Sequence, residues 1–160
     1  MVVLGVDPGL MNTGFGAVSC SERFFLIRCG EIKTSPQRHL SNRLVQIHRD
    51  MLTLLDDQKP DLVAVENVFS LVRYPRAGIL LGGVIGVIYL AVADRRIPVA
   101  ELTPREIKSS LTGYGAASKR QVRDFVAKLL EVNRLSSFHA ADALAVAMAA
   151  FYRHSPEVRR

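Results

Sequence analysis

Two short apolar runs, VVLGVD and DLVAVE, each end on a carboxylate where a loop begins. Asp7 closes the first and is followed at once by Pro8-Gly9; Glu66 closes the second. A buried strand that stops at such a turn delivers its last residue to the carboxyl edge of a sheet, where open α/β folds bind their ligands. Asp-Pro-Gly is also good turn chemistry, and a single acid there needs no further explanation. Two acids at matched positions are different. If the strands are neighbours, the carboxylates face one another, which is costly unless a cation or a proton lies between them.

The run HAADALAVAMAAFY supplies a third part. His139 and Asp142 stand three residues apart, on one face of a helix near its start. The macrodipole favours an acid there and a histidine can simply be exposed. The rest of this helix is Ala, Leu, Val and Met, so it is expected to be buried, with small residues that let it lie close to a sheet. Asp142 has only apolar neighbours along the helix, and a buried carboxylate needs a partner. Asp7, Glu66, His139 and Asp142 thus form a candidate catalytic and metal-ligating set. Carboxylate oxygens suit Mg²⁺ or Mn²⁺ better than Zn²⁺, and the imidazole tilts the set toward Mn²⁺. Two such ions roughly 4 Å apart can activate water and stabilise the leaving oxygen of a phosphodiester. No Ser, Cys or Lys stands in a setting that suits a nucleophile.

The elements that must position these groups follow from the pattern of the chain. Val2–Asp7, Thr13–Cys20 and Arg23–Lys33 read as strands, the last two joined near Ser21-Glu22. Leu40, Leu44, Ile47, Met51, Leu54 and Leu55 recur at helical spacing. Asp61–Glu66 and Ile97–Glu101 read as further strands. Thr103-Pro104-Arg105-Glu106 and Ser118-Lys119-Arg120-Gln121 are capping boxes that open two helices, and the last helix starts near Ser136 or Ser137. Ala77 to Ala93 is a 17-residue run without a charge, at the low edge of the roughly 17–25 residues needed to span a bilayer. A span there would split the sheet that the rest of the chain builds. Gly78, Gly82 and Gly86 recur every four residues and make one face that another backbone can approach, which suits a buried helix, or one packed on its twin in a dimer. Residues 1–153 are expected to form a single α/β domain, and 154–160 a basic tail.

The whole chain carries a net charge of +6 with a pI near 9.7, which favours an anionic partner, nucleic acid first. Setting aside Asp7, Glu66 and Asp142 leaves 12 acids against 21 basic residues, or +9 outside the proposed centre. Phe69, Arg73, Tyr74 and Arg76 interleave aromatic and cationic groups directly after Glu66, a pattern that can stack an unpaired base and hold its backbone. Thr112 to Ser118 is a small-residue loop feeding a helix that starts Lys119-Arg120, a ready phosphate site, and Lys108 lies one helix earlier. Each cation also has a simpler reading as a solvated charge, and Phe69 as a core anchor. Cys20 and Cys29 have no metal-ligand spacing and suit a reducing compartment. With no charged segment before the first apolar run, a secretory signal is not expected.

GVDPG with Gly14-Phe15-Gly16, AVENVF and HAADALAVA resemble, in order and spacing, the RuvC Holliday-junction resolvases over essentially the whole chain. The resemblance implies an RNase H-like fold, a mixed central sheet with three leading antiparallel strands and helices on both faces. It implies a cytoplasmic homodimer that uses Mg²⁺ or Mn²⁺, two ions per site, to make paired symmetric nicks in four-way junction DNA during recombination and repair, in cooperation with the RuvA–RuvB branch-migration complex. Carried over by position, Asp7, Glu66 and Asp142 match the family's catalytic acids, and His139 stands where many members have Asp and some have His. Phe69 matches an aromatic that enters the junction, and Lys108 and Lys119 match basic DNA-binding positions. The stretch SLVRYPRAG after Phe69, and LGGVIGV where an Arg commonly precedes the second glycine, depart from the pattern and leave the cleavage-sequence preference open. Three other readings compete. An RNase H-like nuclease of ribosomal-RNA maturation would not need the Phe69 loop or a rigid dimer. A sugar-kinase or actin-like ATPase would need a second lobe that 160 residues leave little room for. A non-catalytic junction-binding module would gain nothing from three acids in buried settings.

Overall fold

A computed structural model of the chain describes residues 1–67, 75–133, 135 and 137–154. Val2–Asp7 (β1), Asn12–Cys20 (β2) and Phe24–Lys33 (β3) form an antiparallel meander. Leu62–Glu66 (β4) and Val99–Leu102 (β5) then extend the sheet in parallel from β1, giving the order β3-β2-β1-β4-β5. Leu40–Gln58 (α1) precedes β4 and Pro75–Asp94 (α2) connects β4 to β5; Pro104–Thr112 (α3), Lys119–Leu129 (α4) and Phe138–His154 (α5) follow. The sheet is mixed, with three antiparallel leading strands and helices on both faces, as expected.

Alternation along β1 divides the core. Leu4 and Val6 point to the layer of α1 and α2, among Ile47, Met51, Leu55, Val84 and Ile88. Val3 points to the layer of α3, α4 and α5, among Ile107, Val122, Val126, Leu144 and Met148. Gly5 lies beneath α5. A Cβ there would fall on the carbonyl oxygen of Ala143, so this glycine and the alanines of the helix let two backbones touch. Both capping boxes form: Thr103 with Glu106 opens α3, and Ser118 with Gln121 opens α4. At the start of α5, the Ser137 hydroxyl accepts from the Ala140 N–H at 3.0 Å.

Some boundaries move. The last strand begins at Val99 rather than Ile97, because Pro98 has no N–H to give and contributes only its carbonyl, to the Val63 amide. The third begins at Phe24, since Ser21 to Arg23 make the turn. The larger correction concerns α2. Among the described residues it is the one helix long and apolar enough to cross a membrane. Its role is instead that of the crossover between parallel strands β4 and β5. It is not a buried helix either: Val84, Ile88, Ala91 and Val92 face the core, whereas Ile79 is 76% exposed and Leu90 56%. A Cβ at Gly82 or Gly86 would meet nothing within 4 Å.

Candidate active site

The parallel register that pairs Val6 with Val65 puts Asp7 and Glu66 side by side at the carboxyl edge of the sheet. The first turns of α5 arrive over the same edge. Gly14, the register partner of Asp7 on β2, has its open side directly against the His139 backbone, where a Cβ would overlap the His139 carbonyl. The His139 Nδ1 accordingly stands 2.9 Å from the Asp7 Oδ2. One turn on, Asp142 faces α4. Arg123 presents Nε to the Asp142 Oδ1 and Nη2 to its Oδ2, both at 3.2 Å, and the Lys119 ammonium lies 3.2 Å from the same Oδ2. Asp142 therefore has the partner that its burial demands, from a neighbouring helix rather than its own.

Asp7, Glu66, Asp142, Lys108 and Lys119 line one cleft of about 300 Å³, floored by Ile107, Val122 and Ala145. Burial pushes the Glu66 carboxyl up to about 7, and the neighbouring charges of Asp7 and Asp142 add to this while Lys119 opposes it. Burial also raises the Asp7 carboxyl, against the hydrogen bond from His139. These are carboxylates short of positive charge, the condition that a bound cation relieves. Among the described residues no three of the acids and imidazoles already close around one point: Asp7 is turned to His139, and Asp142 to Lys119 and Arg123. The donor set still fits a divalent ion. It is oxygen-rich, half-buried and open to a cleft, and the cations now beside Asp142 supply in part the charge that an ion would bring.

The structure thus brings together six of the sequence candidates: Asp7, Glu66, His139 and Asp142, with Lys108 and Lys119 beside them. It does not bring Arg120 to them. That side chain projects into solvent with Asp124 3.8 Å away, and it borders a separate groove with Arg123 and Phe138. Arg76 is exposed in the first turn of α2. Phe69, Arg73, Tyr74 and residues 155–160 lie outside the described residues.

Two arginines at the site were missed by sequence reasoning. Arg123 lies one helical turn from Lys119, so the i, i+4 spacing carried the signal; its guanidinium also lies over the Phe138 ring at 4.3 Å. Arg43 sits on the inward side of α1, buried to 9% exposure. It donates from Nε to the Thr34 hydroxyl at 2.9 Å and from Nη2 to the Leu10 carbonyl at 3.2 Å. That clamps the loop immediately after Asp7.

Residues 3–150 match the family model described as "Crossover junction endodeoxyribonuclease RuvC". The chain is 41% identical over 148 residues to a curated protein of that description from Legionella pneumophila strain Lens, covering 92% of this chain and 84% of that one. Among solved structures it is similar to Thermus thermophilus RuvC, with a TM-score of 0.89 and 33% identity over 96% of this chain and 95% of that one. A structure of the T. thermophilus protein in complex with Holliday junction substrate matches over the same shares, with a TM-score of 0.87 and 31% identity.

Proposed function

The chain belongs to the RuvC family of crossover junction endodeoxyribonucleases, and from that premise we propose that it resolves four-way DNA junctions by paired symmetric nicks made at the cleft of Asp7, Glu66, His139 and Asp142. The observation that carries this reading is the meeting of Asp7, Glu66 and Asp142 in one cleft with two lysines. Its fold is RNase H-like and its reaction is phosphodiester hydrolysis in DNA with divalent metal. Two divalent ions held there would supply Lewis acidity for the attacking water and charge neutralisation for the leaving oxygen.

The chain's own residues do the rest. Asp7 and Glu66 would hold the cations at the sheet edge, where adjacent strands set the separation of the two carboxylates. Asp142 completes the set from α5. His139 receives its orientation from Asp7 through Nδ1, 2.9 Å from the Asp7 Oδ2. Lys108 and Lys119 approach the scissile phosphate from α3 and α4 and stabilise its growing charge. Phe69, Arg73, Tyr74, Arg76 and Arg120 contact the junction. Two copies, joined through the exposed face of α2, place two clefts on one junction, and RuvA–RuvB delivers it in the cytoplasm.

The test is cleavage of a synthetic four-way junction, a plain duplex and a structured RNA, with Mg²⁺, Mn²⁺ or neither. Symmetric nicks confined to the junction and dependent on the metal are expected. Cutting of the RNA in preference would favour ribosomal-RNA maturation instead. Asp7→Asn and Glu66→Gln should bind the junction without cutting it, and full cleavage by either removes the assignment. His139→Asp should cut with an altered Mg²⁺ to Mn²⁺ ratio.

A further inference from the structure

One charged group close to this centre has no part in the reading above. Glu31 lies on β3 in register with Gly14, which is itself in register with Asp7. Three residues in one row across adjacent strands project to one face, and Cys29, two residues before Glu31, packs on the α5 side. The middle member of the row has no side chain, and the His139 backbone rests in the space so left. His139 is therefore seated over Gly14 with a carboxylate on either side, Asp7 from β1 and Glu31 from β3.

The Glu31 side chain is only 11% exposed although it is charged. Its carboxyl is held below the usual range by the hydroxyl of Ser137, with Lys33 and the nearby His139 adding to the effect. The Lys33 ammonium lies 3.3 Å from the Glu31 Oε2. Ser137 in turn takes the Ala140 N–H with its oxygen. Its one hydroxyl proton is then available to Glu31, so the serine joins the carboxylate to the first turn of α5. That turn carries His139, and Asp142 follows one turn on.

We propose that Glu31 is a positioning residue of the nuclease centre. Through Ser137 it fixes the first turn of α5, and its charge, opposite Asp7, holds the His139 imidazole in place between two carboxylates. A ligand of this kind is generally oriented by a hydrogen-bonded outer group whose loss costs metal affinity or rate rather than substrate binding. The proposal rests on the assignment of Asp7, Glu66, His139 and Asp142 as the centre.

The experiment uses the full chain and four variants: Glu31→Gln, Ser137→Ala, the two together, and Asp7→Asn as control. Glu31→Gln keeps the shape and an acceptor for Ser137 while removing the charge; Ser137→Ala keeps the charge and removes the link. Two readouts apply: kcat and KM on the four-way junction, and the rise in melting temperature of the DNA-free protein on adding Mn²⁺. Glu31→Gln should lower kcat about tenfold with KM unchanged, and it should reduce the Mn²⁺-induced rise in melting temperature. Ser137→Ala should lower kcat by a smaller factor, and the double variant should lose more than either single one, because one change removes the charge and the other the link. A Glu31→Gln protein with unchanged kcat and an unchanged response to Mn²⁺, beside an inactive Asp7→Asn, overturns the proposal and leaves the centre intact. A Ser137→Ala protein with unchanged kcat and an unchanged response to Mn²⁺ removes the link through Ser137. An Asp7→Asn protein that cuts normally would instead overturn the centre itself.

Discussion

Two helices of this protein are almost wholly apolar, and they use small residues in opposite ways. In α5 the helix is buried from Ala140 to Ala150, apart from the half-buried Asp142. The glycines that matter to it lie in the sheet below, at positions 5 and 14, where a side chain would strike its backbone. In α2 the glycines belong to the helix itself, and two of them open onto empty space. Close approach in the first case is already complete within one chain. In the second the space stays open in the single chain. The two helices differ in what they place: α5 sets His139 against Asp7 and Asp142 in the cleft with Asp7 and Glu66, and α2 touches the core along one side only.

The most severe way to break this contrast is Gly5→Ala. The new methyl group would overlap the Ala143 carbonyl and crowd the Ala147 amide, both of them backbone, so relief requires α5 to lift from the sheet. A loss of about 3 kcal/mol or more is expected from such overpacking, read by denaturant unfolding, together with loss of cleavage as Asp142 moves away from Asp7. A variant that unfolds within about 0.5 kcal/mol of the parent would mean that α5 is not seated on backbone.

The outer face of α2 is tested by Ile79→Glu with Leu90→Glu. Both side chains are exposed in the single chain, so folding of the monomer should be unaffected. Self-association, measured by sedimentation equilibrium, should weaken about a hundredfold if they sit at the centre of a dimer interface. An unchanged association constant would move that interface elsewhere.

What could be read from the letters divides along the same line. The two capping boxes, the strand-end acids and the burial of α5 were legible because each depends on residues a few positions apart. Asp142 was correctly marked as needing a partner, but the partner was not identified, because Arg123 meets it only after α4 and α5 pack. Arg43 and Glu31 were passed over for a similar reason. One looks like a surface charge in an amphipathic helix, and the other gains meaning only from a register that puts Gly14 between it and Asp7. Apolar composition alone suggested that α2 is buried, yet composition does not say what covers a helix. Its exposure is a property of the assembled layers.

At the acidic edge of the sheet, burial pushes the Glu66 carboxyl up to about 7 in the folded chain against 4.5 for the ordinary group. The folded protein therefore keeps a proton that the unfolded chain releases above pH 4.5. Stability from this group is whole below that point and is lost as pH rises through about 7. The loss is about 2 kcal/mol after allowance for partial exposure, and Asp7, raised in the same direction, adds to it. Melts across this range should show the decline without metal, a smaller one in Glu66→Gln, and its reversal by Mg²⁺ or Mn²⁺, which favour the ionised form. A flat profile in the metal-free protein would deny that the two carboxylates crowd one another, while an unreversed decline would deny that cations bind between them.

The smallest effect, and the most discriminating in sign, is expected at Gly83. This glycine faces α1, where the nearest side-chain atom to an added Cβ is the Leu44 Cδ1 at 4.0 Å, an ordinary contact. Unlike Gly5, it is not required for any close approach, so Gly83→Ala should gain the helix propensity of alanine, about 1 kcal/mol, and raise the melting temperature. The same chemical change is thus expected to stabilise within α2 and to destabilise in the sheet beneath α5. If Gly83→Ala lowers stability instead, α2 lies closer to α1 than a leucine-to-helix contact allows, and the two layers of the molecule are packed alike. A gain limited to the monomer, with weaker self-association, would show that the glycines of α2 serve the second chain and not the first.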